Sequence, residues 1–211
     1  MNDPARPQAR PGLDHPDLAR PQDGLDHPDL TYPELGASRT GGPLPAGYNH
    51  LRHRVLIGHG RAALDAAGAA VLGWRMHRAV GVLVTSEADR ATPGAAVECA
   101  IGLGPLRIGA PCRVVWTADG PDRYGLTYGT RAGHLALGEE TFLVEMGPDK
   151  AVWFSVTAFS RPGRPFARLA GPLLPLGQHL FARLCGRALT RVAASATSAA
   201  SATARGEGSR S

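Results

Sequence analysis

Between positions 128 and 140 the chain gathers hydroxyl, imidazole and carboxylate groups in thirteen residues: Tyr128-Gly129-Thr130, then His134, then Gly138-Glu139-Glu140. Imidazole titrates near neutrality, and a neighbouring carboxylate can fix its tautomer, so His134 with Glu139 or Glu140 is a candidate acid–base pair. The same residues can equally form a structural loop. In that reading one of the two glutamates accepts backbone N–H bonds, as buried polar groups at turns usually do. The first reading brings the hydroxyls of Tyr128 and Thr130, His134 and one of the two glutamates together at the mouth of a cavity; in both, the segment joins two strands.

A second group is Trp74-Arg75-Met76-His77. Trp74 is either a pocket wall or an aromatic core anchor. His77 either points into the pocket or sits at a helix C-terminus, where a cation is favoured. Arg161, at a strand-to-helix junction, has the fork needed to clamp a carboxylate or phosphate. Gly58-His59-Gly60 reads as a tight strand-to-helix turn. It lacks the Lys and Ser/Thr of a phosphate loop and the spacing of a dinucleotide fingerprint.

Other chemistries find little support. His53, His59, His77, His134 and His179 are scattered, without paired metal-ligand spacing, so no metal is expected. Ser160 lacks the glycine-flanked nucleophile elbow. Cys99, Cys112 and Cys185 are odd in number and form no Cys-x-x-Cys pair; they read as ordinary thiols in a reducing compartment. No cofactor is implied.

The elements that must hold these groups follow from pattern. Hydrophobic residues make up 43% of 211, too many for a wholly disordered chain. Residues 1–30 are rich in Pro and Asp. They carry a duplication, in which Gly12-Leu13-Asp14-His15-Pro16-Asp17-Leu18 recurs as Gly24-Leu25-Asp26-His27-Pro28-Asp29-Leu30. That stretch reads as a disordered tail, because it cannot bury enough apolar surface to offset the entropy of ordering. Residues 193–211, an Ala/Ser/Thr/Gly/Arg run, read as a frayed helix end and a second disordered tail. One α+β domain is expected over 31–192.

Inside it, Leu51, His53, Val55 and Ile57 alternate with Arg52, Arg54 and Leu56, the period of a half-buried strand. Leu64, Gly68, Val71, Leu72 and Met76 recur at helical spacing, predicting one amphipathic helix over 61–78. Its glycines suggest a close approach to a sheet. Strands are predicted over 80–85, 95–102, 106–109, 112–118, 123–128, 140–145 and 152–159, and their short connections imply antiparallel neighbours. One or two helical turns are predicted over 166–170. Leu176, Leu180, Leu184, Ala188 and Val192 then form a stripe on a closing helix, opposite His179, Arg183, Arg187 and Arg191. The fold class expected is a curved antiparallel sheet of six or seven strands packed on a long C-terminal helix, with one N-terminal strand and helix. That is the helix-grip order of the START and Bet v 1 class.

Along this frame the residues resemble uncharacterised protein family 0548, a domain of unknown function. The resemblance is carried by Thr31-Tyr32-Pro33-Glu34-Leu35-Gly36, Pro45-Ala46-Gly47-Tyr48, Gly58-His59-Gly60 and Trp74-Arg75-Met76-His77. It continues in Tyr128-Gly129-Thr130, Gly133-His134, Gly138-Glu139-Glu140 and Phe142. It closes with Ala158-Phe159-Ser160-Arg161-Pro162, Arg168, Gly171-Pro172 and Gln178. This chain departs from the family in the loop after Thr130, where Arg131-Ala132 and Leu135 stand in place of a proline-stiffened Leu-Pro-Gly-His-Pro. The resemblance implies a fold and candidate positions; it implies no reaction.

Together these features point to a protein that binds a small, largely apolar molecule with one polar or acidic end. The ligand-binding candidates are Tyr128, Thr130, His134, Glu139, Glu140, Trp74, His77 and Arg161. An enzyme using a His/Glu pair is the first alternative. A scaffold or nucleic-acid partner using the arginine-rich stretch after Arg161 is the second. For that role the aromatics needed for base stacking are sparse. The longest apolar runs fall short of the ~18 residues a membrane span needs. Residues 1–12 lack the apolar centre of a signal peptide, so the expected location is the cytoplasm.

Overall fold

The computed structural model describes residues 28–103, 106–163 and 173–208. Its elements are β1 (Asn49–His59), α1 (Gly60–Leu72), α2 (Arg75–Ala79), β2 (Leu83–Ser86), β3 (Ala96–Leu103), β4 (Leu106–Asp119), β5 (Arg123–Thr130), β6 (Ala136–Met146), β7 (Ala151–Pro162) and α3 (Leu173–Gly208). The seven strands form one antiparallel sheet in the order β1-β7-β6-β5-β4-β3-β2. The curved sheet closes around the long last helix, as the strand order predicts.

β1 keeps its alternation: Leu51 and Ile57 are buried while Arg52, Arg54 and Leu56 are exposed. A bulge between Leu56 and Gly58 bends its end toward α1. Gly58 is needed there, because a side chain would press on the methyl groups of Ala63 and Ala193.

Several expectations are corrected. The helix predicted over 61–78 is two helices, broken at Gly73-Trp74. Trp74 adopts φ 63°, and the Gly73 N–H caps α1 on Ala69 O. The break turns Trp74 and His77 into the core, where both are fully buried. The strands predicted over 106–109 and 112–118 are one, β4, running through Pro111. The ladder with β5 begins at Cys112, and Pro111 turns its carbonyl to the Arg131 N–H beyond that ladder's end. Its missing N–H therefore interrupts no pairing. The turns predicted over 166–170 lie outside the described residues. The tail predicted from 193 is not loose at its start: Ala193 is fully buried and α3 continues to Gly208. An alanine-rich run has the highest helix propensity and extends a helix already anchored in the core.

The stripe predicted on α3 is also displaced. Leu176 and Leu180 are 64% and 56% exposed, and the buried positions are Ala182, Cys185, Ala188, Leu189 and Ala193. Small residues face inward where the helix lies close to β1. A side chain at Gly186 would meet Val55. The arginines 183, 187 and 191 are exposed as predicted.

Gly68 explains how α1 lies on the sheet. A methyl group there would overlap the ring of Tyr124 on β5, whose hydroxyl donates to Asp65 Oδ1 at 3.0 Å. Gly68→Ala is therefore expected to lose about 1–3 kcal/mol in urea unfolding, despite a helix-propensity gain of about 1 kcal/mol. An unchanged or raised midpoint would show that the ring has room to move.

Candidate functional site

The inner face of the sheet and the first half of α3 enclose a cavity of about 490 Å³. Its walls are mostly apolar. β3 and β4 contribute Cys99, Ala110 and Cys112, β7 contributes Ala158, and α3 contributes Leu180, Phe181 and Leu184. Leu180 and Leu184, expected to seal the core, thus border open space. Gly177 also lines the cavity, and nothing lies within 4 Å of where its side chain would start.

Polar groups converge at one wall. Tyr128 on β5 lies directly opposite Glu140 on β6, and both side chains share the inner face. The Tyr128 hydroxyl donates to Glu140 Oε2 at 3.0 Å. Glu140 Oε1 has no partner among the described residues. Burial raises the Glu140 carboxyl from its ordinary value to about 7, against a smaller lowering by the Tyr128 hydrogen bond. Burial likewise pushes the Tyr128 phenol well up, with the Glu140 charge adding to it.

His77 borders the cavity beside them, its ring 5.9 Å from Tyr128, 4.9 Å from Phe142 and 6.2 Å from Phe181. Neither ring nitrogen meets a partner among the described residues. Desolvation, then the Arg78 charge, lowers its pKa to about 3, so the imidazole is neutral. It is not the helix-terminal cation the sequence allowed. The Trp74 ring lies 5.4 Å behind that of His77, tilted by 58°, and does not reach the cavity; it is a core anchor.

His134 lines the cavity from the β5–β6 loop, with its Nδ1 2.9 Å from both the N and the O of Ala136. Burial lowers its pKa. Its ring is held by the backbone of its own loop. The hydrogen bond Glu140 receives comes from Tyr128, not from His134. Thr130 also borders the cavity, but its hydroxyl is engaged by Thr31 Oγ1 at 2.6 Å and by the Gly138 N–H at 2.9 Å.

Two candidates lie on the other face. Glu139 alternates with Glu140, so its carboxylate turns outward. There it accepts from Tyr32 Oη (2.9 Å), Gly36 N (2.7 Å), Ser38 N (3.0 Å) and Ser38 Oγ (2.6 Å). This is the structural reading of the motif: Glu139 fastens segment 31–40 across the back of the sheet. Arg161 is exposed on that same side, its guanidinium 4.9 Å from the Tyr48 ring centre, and reaches no cavity group. Glu139 borders the cavity between Gly138 and Glu140, but its carboxylate is engaged on the outer face, and Arg161 does not line the cavity.

Sequence reasoning passed over Cys99, Cys112, Ala158 and Leu184 as lining residues. The period of two over 95–102 and 152–159 would have put Cys99 and Ala158 on faces of the sheet, but nothing local says that a face is hollow. Burial pushes the Cys99 thiol up to about 12 and raises the Cys112 thiol well above its ordinary value, so both stay protonated. Gln178 Nε2 donates to Ser160 Oγ at 3.0 Å, tying α3 to β7 beside the cavity. Among the described residues, no cluster of three His, Cys, Asp or Glu side chains could hold a metal. No described helix is long and apolar enough to cross a membrane.

Comparison with known proteins agrees with the fold. Among solved structures, a hypothetical protein from Helicobacter pylori superposes with TM-score 0.54 at 7% identity, covering 81% of this chain and 99% of its own. Norcoclaurine synthase from Thalictrum flavum superposes with TM-score 0.50 at 9% identity, covering 72% and 98%. These likenesses concern the fold, a helix grip. A UPF0548 protein of Deinococcus radiodurans is 39% identical over 157 residues, spanning 67% of this chain and 77% of its own. One from Arabidopsis thaliana is 30% identical over 149 residues, spanning 68% and 71%. A family model described as a domain of unknown function, DUF1990, matches residues 31–188, nearly the whole folded part. The chain therefore belongs to the DUF1990 (UPF0548) family.

Proposed function

We propose that this protein binds a small, mostly apolar molecule in the cavity between the sheet and α3, with the polar end of that molecule at Tyr128 and Glu140. The observation that carries this reading is the hollow itself. A folded core is close-packed, and about 490 Å³ of apolar-walled space with a few convergent polar groups is the form of a ligand site. The partly exposed Leu180 and Leu184 have a role in this reading as the ligand-facing side of α3.

Gly177 offers a direct test. Gly177→Phe is expected to place a ring at the cavity's open side and weaken the uptake of a fluorescent apolar dye at least about tenfold. Gly177→Ala is expected to leave dye binding intact and add about 0.5–1 kcal/mol of helix stability. Equal dye binding by folded wild-type and Gly177→Phe protein would refute the assignment of the cavity. Native mass spectrometry of the purified protein would show a bound small molecule directly.

An acid–base role is the second reading, and one observation favours it: a carboxyl poised at about 7 beside a phenol. The pair that would serve it is Glu140 with Tyr128, since Glu139 faces the other side of the sheet. A bell-shaped pH dependence of any turnover, abolished in Glu140→Gln, would support it.

A further inference from the structure

Among the described residues, the wall that holds Glu140 has no counter-charge: neither Lys nor Arg lines the cavity. The titratable groups around the carboxylate come from every packed element: Tyr128 on β5, Cys99 on β3, Cys112 on β4, His77 on α2 and Cys185 on α3. All are held neutral by burial. Tyr128 serves Oε2, and Oε1 has no donor among the described residues. A carboxylate in apolar surroundings with half its hydrogen-bonding capacity unmet is costly unless something supplies the missing charge and donor.

We infer that the polar end of the ligand is a protonated amine, which takes Glu140 as its counter-ion. The inference rests on the cavity-binding function proposed above and replaces the acidic end that the sequence left open. An ammonium supplies both missing elements at once: a positive charge and N–H donors for Oε1. The rings of Tyr128 and Phe181 line the same cavity and offer π faces to a cation. The neutral imidazole of His77, with a free acceptor nitrogen, can take a further N–H bond. A carboxylic acid would instead set two carboxyl groups against one another, and an alcohol would leave the buried charge uncompensated. The apolar walls then take the hydrocarbon part, so the ligand class is a hydrophobic alkyl- or arylalkylamine.

The chemistry implies a proton count. Below neutrality Glu140 holds a proton in the empty protein, and an incoming ammonium expels it. Binding heats measured in buffers of different ionisation enthalpy at about pH 6 are expected to reveal release of up to about one proton per ligand.

The test uses three probes with one chain: n-octylamine, 1-octanol and octanoate, titrated calorimetrically into the full chain and into Glu140→Gln. Octylamine is expected to bind wild type at least about tenfold more tightly than octanol, with octanoate weakest. Glu140→Gln is expected to erase the amine preference, and a cooperative urea transition of the variant shows that it is folded. Octanol or octanoate binding wild type as tightly as the amine would overturn the inference and leave the cavity reading standing. So would an amine preference that survives in Glu140→Gln. Failure of all three probes to bind would overturn the cavity reading, and the inference with it.

Discussion

Glu139→Ala is expected to destabilise the fold by about 3–5 kcal/mol in urea unfolding, with no change in the ligand preference of the cavity. The Glu139 carboxylate is buried and accepts from Tyr32, from the backbones of Gly36 and Ser38, and from the Ser38 hydroxyl. Removing it strands four donors in a place water does not reach. The Ser38 and Thr127 hydroxyls also meet Thr141 at 2.6 and 2.7 Å, so the loss spreads through one connected network. Segment 31–40 depends on that network. The Tyr32 ring meets the face of Phe159 edge-on at 5.5 Å, and a side chain at Gly129 would collide with the Tyr32 hydroxyl. Faster amide exchange in β5 and β6, where this segment covers them, is expected to accompany the loss. Glu139→Gln keeps shape and some acceptor capacity, and a smaller cost of about 1–3 kcal/mol is expected. Near-wild-type stability of the alanine variant would mean that the outer clamp is ornamental.

Glu140→Gln is expected to do the reverse. Burial raises the Glu140 carboxyl from 4.5 to about 7. Between those values the folded chain holds a proton that the unfolded chain has released. The contribution of Glu140 to stability is therefore full below about pH 4.5, falls as pH rises toward 7, and stays flat above. A neutral amide of the same shape escapes this loss. The variant should match wild type near about pH 5 and exceed it by about 1–3 kcal/mol above about pH 8, the side chain being partly open to the cavity. Stability curves that run parallel across the whole range would contradict the burial of this carboxyl. A residue that costs stability at working pH and is nonetheless present is what a binding site requires, and that links this variant to the amine probe.

The neighbouring glutamates show how far the motif could be read. Position alone brought Tyr128, His134, Glu139 and Glu140 to one strand–loop–strand segment, and the structure has that segment. Side chains one apart on a strand face opposite sides, so only one glutamate could enter the cavity. Which one depends on the register that sets Tyr128 against Glu140 and Ala158 against Glu140, and register is a property of the paired strands. His77 was visible as a candidate, but its neutrality was not. That follows from the rings of Trp74, Phe142 and Phe181, which come from elsewhere in the chain and surround it.

Local periodicity was enough for most of the strands, for the presence of a first and a last helix and for the antiparallel order, because alternation and helical spacing are short-range consequences of which residues meet water. The same rule misjudged α3. A leucine stripe normally marks the buried face, and here Leu176, Leu180 and Leu184 are partly or largely exposed while Ala182, Cys185 and Ala193 are buried. The sequence by itself determined that a sheet would be covered by a final helix, and which residues could do chemistry. Only the tertiary structure decided that cover and sheet part company over the first half of the helix. Curvature accumulates over seven strands, and no single segment records whether the gap beneath the helix is filled with side chains or left open.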